Sequence, residues 1–424
     1  MVRLDDRWAP RDAVTSPKHI LIIVQNLPVP FDRRVWLECQ ALKDTGYEVS
    51  VVCPKGPGDP AFEVLEGVAL YKYRSYTGGG RVLGYLLEYA YSFFATAFLV
   101  LRVWRRRRFN ALQACNPPDI FWPLGLMFRA FGCPYVFDHH DLNPELYDSR
   151  FPDAGRGPYW GLRILEWCTF RSANHVISTN ESYRKVAIAR GGKRPEETTV
   201  VRTGPDASIL RRTEPDPNLR RGRKFLAVYL GVMGPQDGVD IVVRVAEKIV
   251  KESQREDVGF VLMGSGDCFD DLIALRDELG LGHSVEFLGR VPDEVVARVL
   301  STADVGLSPD RKNPLNDLST MNKTMEYMAF SLPTVAFDLR ETRVSAGDSA
   351  VYAEPNDVDS YAKALIDLLE DEPRRRQMGE FARARVEKEL AWVHQRDAYV
   401  AVYDRLLSQT RRDPATPGST SSVG

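Results

Sequence analysis

The sequence has 424 residues, of which 44% are hydrophobic and 27% charged, a composition typical of a soluble globular protein of two or three domains. Lys and Arg total 56 against 58 Asp and Glu, a net charge of −2, which excludes the strongly basic surface of a general nucleic-acid-binding protein. The six cysteines are not spaced as a CxxC pair or a Cys/His cluster, which argues against a zinc site and a secreted disulfide scaffold.

The N-terminal half begins with an extension and then alternates strands with helices. Residues 1–16 contain no apolar h-region of a secretory signal, so we expect a cytoplasmic protein. The apolar run Ile20–Val24 is typical of a parallel strand buried on both faces. A helix over Arg34–Leu42 and a strand over Glu48–Cys53 complete a βαβ unit. Further strands are predicted at Tyr135–Asp138, His175–Ser178 and Thr199–Arg202.

One segment of this half is nearly as apolar as a membrane span. Val82–Leu101 contains one charge, Glu88, and five arginines follow within Arg102–Arg108. A bilayer span would fit the length but would interrupt a sheet, so a helix packed between domains and a helix docked on a membrane surface are the other interpretations. Aromatic side chains beside clustered arginines favour a membrane surface contact through residues 82–108.

The alternation restarts after a segment rich in Arg, Pro and Asp, residues 208–223, which we interpret as a linker. The second half is predicted to contain strands at Phe225–Leu230, Val258–Met263, Val285–Leu288 and Val305–Ser308, and helices at Asp240–Lys251, Asp270–Leu279, Glu294–Ser301 and Ala391–Leu407. Residues 409–424 are rich in Pro, Ser, Thr and Gly and are predicted to be disordered. The fold class is therefore α/β, with two doubly wound Rossmann-like domains facing a cleft that holds the ligand.

Several catalytic motifs are absent. The sequence has no GxxxxGK[ST], GxGxxG, GxSxG or HExxH motif, which argues against a P-loop ATPase, a nicotinamide enzyme, an α/β-hydrolase and a zincin. Met263–Asp267 (MGSGD) follows a predicted strand. Its glycines, Gly264 and Gly266, either let the backbone approach a ligand closely or form an ordinary tight turn.

The segment around Lys323 combines several groups that could bind a nucleotide. Ser319, Thr320 and Asn322 are N-cap residue types ahead of an apolar helix, whose free amides would attract an anion. Lys323 would add a charge for phosphates, and Glu326 could bind a ribose diol. The alternative is a capped surface helix with an ordinary Lys–Glu pair.

The sequence resembles a known family, the retaining glycosyltransferases of family four, which have the GT-B fold. The similarity runs from Ile20 to about Leu407. Its motifs in the second half are Phe225–Gly238, Phe260–Gly266, Val285–Val291, Ala303–Pro309 and Glu326–Ala336. Those in the first half are Pro30–Val35, Phe137–Glu145 and Val200–Asp206.

The resemblance implies a division of labour between the halves. Residues 17–207 would form the acceptor-binding domain and residues 224–390 the domain that binds the nucleotide-sugar. The helix over 391–408 would cross back to the N-terminal domain. No metal or other cofactor is expected, since the nucleotide-sugar is a co-substrate.

The resemblance also assigns donor-binding residues. Glu326 matches the second glutamate of the family's Glu-x7-Glu motif, while Leu318 stands at the first, beside Asp317. Val232 and Asp237 stand where the family has a phosphate-binding Arg and Lys, which shifts that role to Lys323, with Arg311 or Lys312 as alternatives. The complete implied donor set is Gly231, Met233, Gly264, Gly266, Arg290, Val291, Asp317, Ser319, Thr320, Asn322, Lys323 and Glu326.

For the acceptor side, His139 or His140 resembles the family's histidine near the reacting centre, and either could instead be a core histidine. With Lys323 and Glu326 they form the predicted catalytic set. Asp141 and Glu145 would bind acceptor hydroxyls or cap the next segment. Three further residues, Asp32, Arg33 and Arg34, would contact phosphate or form local salt bridges.

The function implied is a retaining, metal-independent hexosyltransferase of the transferase class EC 2.4. It would move a sugar from a nucleotide-diphosphate sugar, UDP ahead of GDP, to a saccharide or lipid-linked acceptor. Surface polysaccharide synthesis at the cytoplasmic face of the membrane would suit the Arg-flanked helix. The alternatives are a GT-B epimerase, a phosphorylase, and a non-catalytic sugar-nucleotide-binding partner protein, which Leu318, Val232 and Asp237 favour.

Overall fold

The structure of the protein is a computed structural model, which describes residues 17–76, 82–153 and 155–409. The predicted extension over 1–16 lies outside these residues. So does the predicted disordered tail over 409–424, apart from Gln409. The remaining predicted domain boundaries stay predictions.

The first sheet has eight strands in the order β3-β4-β2-β1-β5-β6-β7-β8. Strands β1 to β8 are His19–Ile23, Glu48–Pro54, Phe62–Leu65, Val68–Tyr73, Ala111–Cys115, Tyr135–His139, His175–Ser178 and Thr198–Val200. Ile20 of β1 lies between Val49 of β2 and Ala111 of β5, and both pairings are parallel. The edge strand β3 pairs with β4 in the antiparallel direction. All five residues of β1 are buried, as expected for a central strand covered on both faces.

The second sheet has six parallel strands in the order β11-β10-β9-β12-β13-β14. Strands β9 to β14 are Phe225–Leu230, Val258–Met263, Val285–Gly289, Val305–Ser308, Thr334–Phe337 and Ala350–Ala353. The strand order reverses between β9 and β12. Ligands of doubly wound folds bind at such a switch point, outside the carboxyl ends of the strands. The predicted pair of doubly wound α/β folds is confirmed.

Helices connect the strands throughout. In the first half, α1 to α6 are Arg33–Asp44, Val82–Arg106, Trp122–Ala130, Asn143–Arg150, Arg156–Ser172 and Glu181–Ala189. In the second half, α7 to α14 are Val239–Glu247, Phe269–Glu278, Asp293–Thr302, Asn322–Ala329, Arg340–Ala346, Val358–Glu370, Glu372–Arg385 and Trp392–Gln409. The helix predicted over Asp240–Lys251 is α-helical only to Glu247, and Lys248–Glu252 continues it as a π-turn.

Two compact units divide the described chain. One contains the residues up to 115, residues 123–136 and those from 403 onward, and the other contains 116–122 and 137–402. In the first unit, the Tyr403 hydroxyl hydrogen-bonds to the side-chain oxygen of buried Gln113, and Lys18 Nζ donates to Leu407 O over 3.2 Å. The first unit is thus built from segments at both ends of the chain.

The core of the second unit lies on both faces of its six-stranded sheet. Alternate residues of β9 enter two different clusters, with Ala227 and Tyr229 in one and Leu226 and Val228 in the other. Successive side chains of a strand point to opposite faces, so helices cover both sides. This arrangement leaves the strand ends as the place where polar groups can meet a ligand.

The apolar segment predicted near Val82–Leu101 forms the helix α2, Val82–Arg106. Among the helices of the described residues, none combines the length and the apolarity required to cross a bilayer. One side of α2 nevertheless exposes large apolar side chains, namely Leu87, Tyr91, Phe94, Phe98 and Leu101.

Candidate functional site

A buried ion pair lies at the switch point of the second sheet. Lys323, in the first turn of α10, places Nζ 2.5 Å from Asp310 Oδ1, and both side chains are almost inaccessible to solvent. Asp310 Oδ2 also accepts a hydrogen bond from Ser308, the last residue of β12, over 2.6 Å. Burial lowers the pKa of Lys323, but the Asp310 and Asp237 carboxylates outweigh it and raise that pKa above the ordinary value. The lysine is therefore a fixed positive charge.

Tyr327 holds α10 against the two strands that flank the switch point. Its hydroxyl accepts a hydrogen bond from Leu230 N over 2.8 Å and donates to Leu307 O over 3.1 Å. A Cβ on Gly306 would lie 2.4 Å from the Tyr327 ring, so the absence of a side chain at Gly306 leaves space for that ring. These contacts fix Lys323, four residues earlier, at the ends of β9 and β12.

The glycines of the predicted donor loops allow two backbones to touch. A Cβ on Gly264 would lie 1.8 Å from Gly231 O, and one on Gly266 would lie 2.6 Å from the backbone of Met233. The loops after β9 and β10 are joined here by hydrogen bonds, including Met233 N to Ser265 O over 3.1 Å. Close loop packing explains these glycines in the structure, and their contact with a donor stays a prediction.

The loop after β9 carries no cation, as the sequence indicated. Val232 is exposed, and Asp237 accepts a hydrogen bond from Gly234 N over 2.9 Å. Burial raises the pKa of Asp237 to about 6, against the opposing effect of Lys323 and with a further contribution from Asp310. The alternative phosphate ligands have acidic partners: Arg311 lies 2.5 Å from Asp240, and Lys312 lies 3.9 Å from Asp317.

The prediction that Ser319, Thr320 or Asn322 caps the helix α10 is wrong. The N-cap residue is Met321, without a side-chain cap, and Asn322 is the first helical residue. Ser319 Oγ donates to Leu315 O and hydrogen-bonds to the Tyr183 hydroxyl, both over 2.8 Å. Thr320 Oγ1 accepts from Asn180 Nδ2 over 3.0 Å. The side chains of Asn180 and Tyr183, at the start of α6, therefore hydrogen-bond to the two hydroxyl groups that the sequence predicted to cap α10.

The remaining predicted donor residues lie around the same edge of the sheet. Glu326 is half-buried in the second turn of α10, and Asp317 Oδ1 accepts a hydrogen bond from Arg340 N over 3.0 Å. Arg290, which is exposed, and Val291, which is half-buried, follow β11. Their role in binding the base of a nucleotide stays a prediction.

The two adjacent histidines have different environments. His139, the last residue of β6, is fully buried between the rings of Phe170 and Tyr183, each centred 5.0 Å away. Burial lowers its pKa to about 3, so its ring is neutral. His140 is partly exposed, and its Nε2 lies 2.5 Å from Oδ2 of the buried Asp138. Of the two, His140 is the one whose ring is partly accessible to solvent, and a contact of either histidine with an acceptor stays a prediction.

Glu145 is occupied within a buried charge cluster. It forms an ion pair with Arg190, whose guanidinium also lies 3.5 Å from Glu166. Asp141, four residues before Glu145, is half-buried, and its backbone N–H donates to Asn116 Oδ1 over 3.1 Å. These contacts give Glu145 a structural partner, while a contact with acceptor hydroxyls stays a prediction for both carboxylates.

Asp119 in this cluster should make stability depend on pH. Burial and the nearby Glu166 raise the pKa of Asp119 to about 8, above the value of about 4 in an unfolded chain. The stability that protonated Asp119 contributes to the fold is fully present below about pH 4 and is lost as the pH rises through about 8. Between pH 5 and 8, the free energy of unfolding in urea should fall with rising pH less steeply for Asp119→Asn than for wild type. The difference should be up to about 1.4 kcal/mol per pH unit. An unchanged slope, equal to that of the exposed control Asp270→Asn, would contradict this prediction.

The residues predicted near the N-terminal turn belong to the other compact unit and have local partners. Asp32 caps α1 by accepting a hydrogen bond from Val35 N over 3.1 Å. Arg34 is buried, with Nε 3.1 Å from Glu38 Oε1. Of the two interpretations for this turn, local pairing describes Asp32 and Arg34, whereas Arg33 is exposed.

Sequence reasoning missed three residues of the site. Asp310 belongs to the Ser-Pro-Asp segment after β12 but carried no signal of its pairing with Lys323. Asn180 is an N-cap residue type after a strand, which marks a helix start but not its contact with Thr320. Tyr183 had no signal, because the contact with Ser319 joins residues 136 positions apart.

Comparison with known proteins identifies the family. Residues 32–208 match the family model described as Glycosyltransferase Family 4, and residues 224–371 match the one described as Glycosyl transferases group 1. The chain belongs to the family-4 glycosyltransferases. The family and the enzyme class predicted from the sequence are thus confirmed for this glycosyltransferase.

Two curated relatives illustrate the similarity. The D-inositol 3-phosphate glycosyltransferase of Thermomonospora curvata is 27% identical over 303 residues, which are 65% of this glycosyltransferase and 67% of the relative. The phosphatidylinositol N-acetylglucosaminyltransferase GPI3 subunit of Saccharomyces cerevisiae is 26% identical over 218 residues, 50% of this chain. The chain spans 46% of the length of that second relative.

Two solved structures show the fold of this glycosyltransferase. Sucrose-phosphate synthase from Thermosynechococcus elongatus superposes with a TM-score of 0.76 at 18% identity, covering 92% of this chain and 100% of the other. Anabaena HepE, in complex with UDP and glucose, superposes with a TM-score of 0.70 at 16% identity, with the same coverage. The fold is therefore GT-B.

Proposed function

We propose that the protein transfers a sugar from a nucleotide-diphosphate sugar, UDP ahead of GDP, to a saccharide or lipid-linked acceptor. The transfer would retain the anomeric configuration, require no metal ion, and serve surface polysaccharide synthesis. Family membership supports glycosyl transfer. Two of the finer choices take support from the names of similar proteins: HepE is solved in complex with UDP and glucose, and the two curated relatives are named for D-inositol 3-phosphate and phosphatidylinositol.

The observation that carries the proposal is the buried Lys323 at the switch point. A leaving nucleoside diphosphate develops negative charge, which a fixed cation and backbone amides stabilise in a site shielded from water. Lys323 is positively charged and its position is set by Asp310 and by the anchored helix α10. The start of α10 adds the positive end of a helix dipole, so the edge can hold a diphosphate although the loop after β9 lacks a cation.

Nucleotide binding gives the first test. Purified protein is heated with millimolar UDP, GDP, dTDP, ADP or NAD, and we expect UDP to raise the melting temperature most. A ligand at 100 times its Kd stabilises by about 2.7 kcal/mol, which is several degrees in a chain of this size. A flat response to all five ligands would contradict the proposed donor site, and a preference for GDP would reassign the base.

Metal independence and stereochemistry are tested on the transfer itself. Turnover of the preferred nucleotide-sugar should be unchanged by EDTA, because Lys323 supplies the charge that a divalent ion would otherwise supply. The product should keep the anomeric configuration of the donor when followed by NMR. Loss of activity in EDTA that Mg²⁺ or Mn²⁺ restores would overturn the metal-independent mechanism.

His140 should position the acceptor. We expect His140→Ala to lower kcat/KM for the acceptor about 100-fold, since misplacing a reacting group has that cost, with little effect on the Kd for nucleotide. The measurement is steady-state kinetics with acceptor varied at saturating donor. His139→Ala is the comparison variant, and it should act through lower stability because the His139 ring is fully buried. Normal acceptor kinetics in His140→Ala would contradict the role.

The exposed side of α2 supports a contact with the membrane surface through residues 82–108. Phe94 and Phe98 are 71% and 65% exposed, and Arg102, Arg105 and Arg106 near the end of the helix are exposed as well. Apolar side chains beside exposed arginines suit the interface of an anionic bilayer. We therefore propose peripheral association at the cytoplasmic face, where a lipid-linked acceptor would be available.

A further inference from the structure

The outer face of helix α5 carries a second apolar surface, in the other compact unit from α2. Trp160, Ile164 and Trp167 are 57%, 61% and 53% exposed. Spacings of four and three residues place the three side chains in one row along the helix, which we call the α5 stripe. A soluble protein rarely leaves two tryptophans and an isoleucine in water side by side, and such patches mark interaction surfaces.

The inner face of α5 is firmly anchored, so the direction of the stripe is fixed. Thr169 Oγ1 donates to Asp119 O over 3.3 Å. The ring of Phe170 packs against Phe137 and His139, with centroids 5.4 Å and 5.0 Å away. Because this face is held in the core, the exposed side chains cannot be buried by a rotation of the helix.

The charges of α5 have one sign on its exposed side. Arg156 and Arg171, each four residues beyond one end of the stripe, are exposed. Glu166 is the one acidic residue of the helix sequence, and it is 2% exposed and paired with Arg163 and Arg190. Arg156 forms an ion pair with Asp148 over 3.5 Å, and both side chains are exposed, so the pair is worth little. The stripe is therefore flanked by positive charge at both ends.

We propose that the α5 stripe docks on the surface of an anionic lipid bilayer. Tryptophan is the side chain that best suits the headgroup level, because its ring is apolar and its N–H can still bond to water or lipid. The isoleucine between them would enter the outer acyl region, and the two flanking arginines would meet lipid phosphates. This inference is independent of the chemistry of transfer and of the α2 surface.

Vesicle sedimentation of the full chain tests the proposal. Binding should be strong to phosphatidylcholine vesicles with 30% phosphatidylglycerol and weak to pure phosphatidylcholine. The double variant Trp160→Gln/Trp167→Gln should lower the partition coefficient about tenfold. Arg156→Gln/Arg171→Gln should lower it about fivefold per arginine, on the scale of about 1 kcal/mol for each basic residue near an anionic surface. The control Val393→Gln, at a site 63% exposed on α14, should bind like wild type.

Tryptophan fluorescence adds a second readout, in which the variant without Trp160 and Trp167 separates quenching at the α5 stripe from quenching at Trp104 of α2. Brominated phosphatidylcholine in the vesicles should quench the wild-type emission. Trp160→Phe/Trp167→Phe should still sediment with vesicles but lose most of that quenching, since the apolar surface remains and the reporters are gone. A separate variant, Phe94→Gln/Phe98→Gln, measures the α2 contact.

Three outcomes would overturn the proposal. The first is that Trp160→Gln/Trp167→Gln binds vesicles as wild type does while Phe94→Gln/Phe98→Gln does not, which would leave α2 as the membrane contact. The second is that brominated lipid leaves the emission of bound wild-type protein unchanged. The third is a dimer, seen by light scattering, that the stripe variant converts to a monomer without any change in vesicle binding, which would make the stripe an interface between copies of the chain.

Discussion

Lys323→Met is expected to lower the rate of sugar transfer about 100- to 1000-fold, the range found when one preorganised charge-stabilising group is removed from an active site. The lysine is the buried cation at the switch point of the second sheet, and its Nζ is held 2.5 Å from Asp310. Methionine has a similar length and no charge. The measurement is kcat with the preferred nucleotide-sugar at saturating acceptor, together with the Kd for the nucleoside diphosphate, which should weaken as well.

The control must separate chemistry from folding. Lys323→Met alone leaves the buried Asp310 carboxylate without its cation, which typically destabilises a protein by about 3–5 kcal/mol. The double variant Lys323→Met/Asp310→Asn removes both charges and should recover most of the free energy of unfolding. It should not recover the transfer rate. A double variant with the wild-type kcat would show that Lys323 serves the fold and not the reaction.

Gly264→Ala is expected to cost about 4 kcal/mol of stability, from backbone strain together with overpacking. Its backbone has φ +136°, and a Cβ would lie 1.8 Å from the carbonyl oxygen of Gly231. The loops after β9 and β10 would have to separate. Because Gly231 lies beside Lys323, with a Cβ position 3.1 Å from Lys323 Cε, nucleotide binding should weaken too.

Gly280→Ala is the matched control for this substitution. Gly280 also has a positive φ, +61°, but a Cβ there would meet nothing within 4 Å. It should cost only the left-handed penalty of about 1–2 kcal/mol. Urea unfolding of both variants measures the difference. Equal losses would mean that the loop contact at Gly264 relaxes at no cost.

Much of the fold could be predicted because its central strands are continuous apolar runs. The predicted strands Phe225–Leu230, Val258–Met263 and His175–Ser178 agree with the structure at both ends. The edge strand β3, Phe62–Leu65, was not predicted. It has only four residues, and its side chains alternate between exposed and half-buried positions, so its pairing with β4 depends on neighbours and not on a buried run.

The site was harder to predict because its contacts join distant parts of the chain. Lys323 was placed correctly on a helix at the strand ends, since a strand–helix pattern shows that much. Its partner Asp310 and the hydrogen bond from Asn180 to Thr320 could not be predicted. N-capping is a local rule, and here a single side chain 140 positions away, that of Asn180, binds the Thr320 hydroxyl that the rule would assign to the cap.

The position of Tyr403 has a consequence for how the protein is made. This residue, near the C-terminus, contacts the buried Gln113 of β5 within the first compact unit. During synthesis from the N-terminus, β5 is complete long before residue 403 leaves the ribosome. The second unit also runs to residue 402, so each unit lacks a segment until almost the same residue is synthesised. Until then the side-chain oxygen of Gln113 is without the Tyr403 hydroxyl, while its amide nitrogen can already donate to Glu38 Oε2 over 2.7 Å.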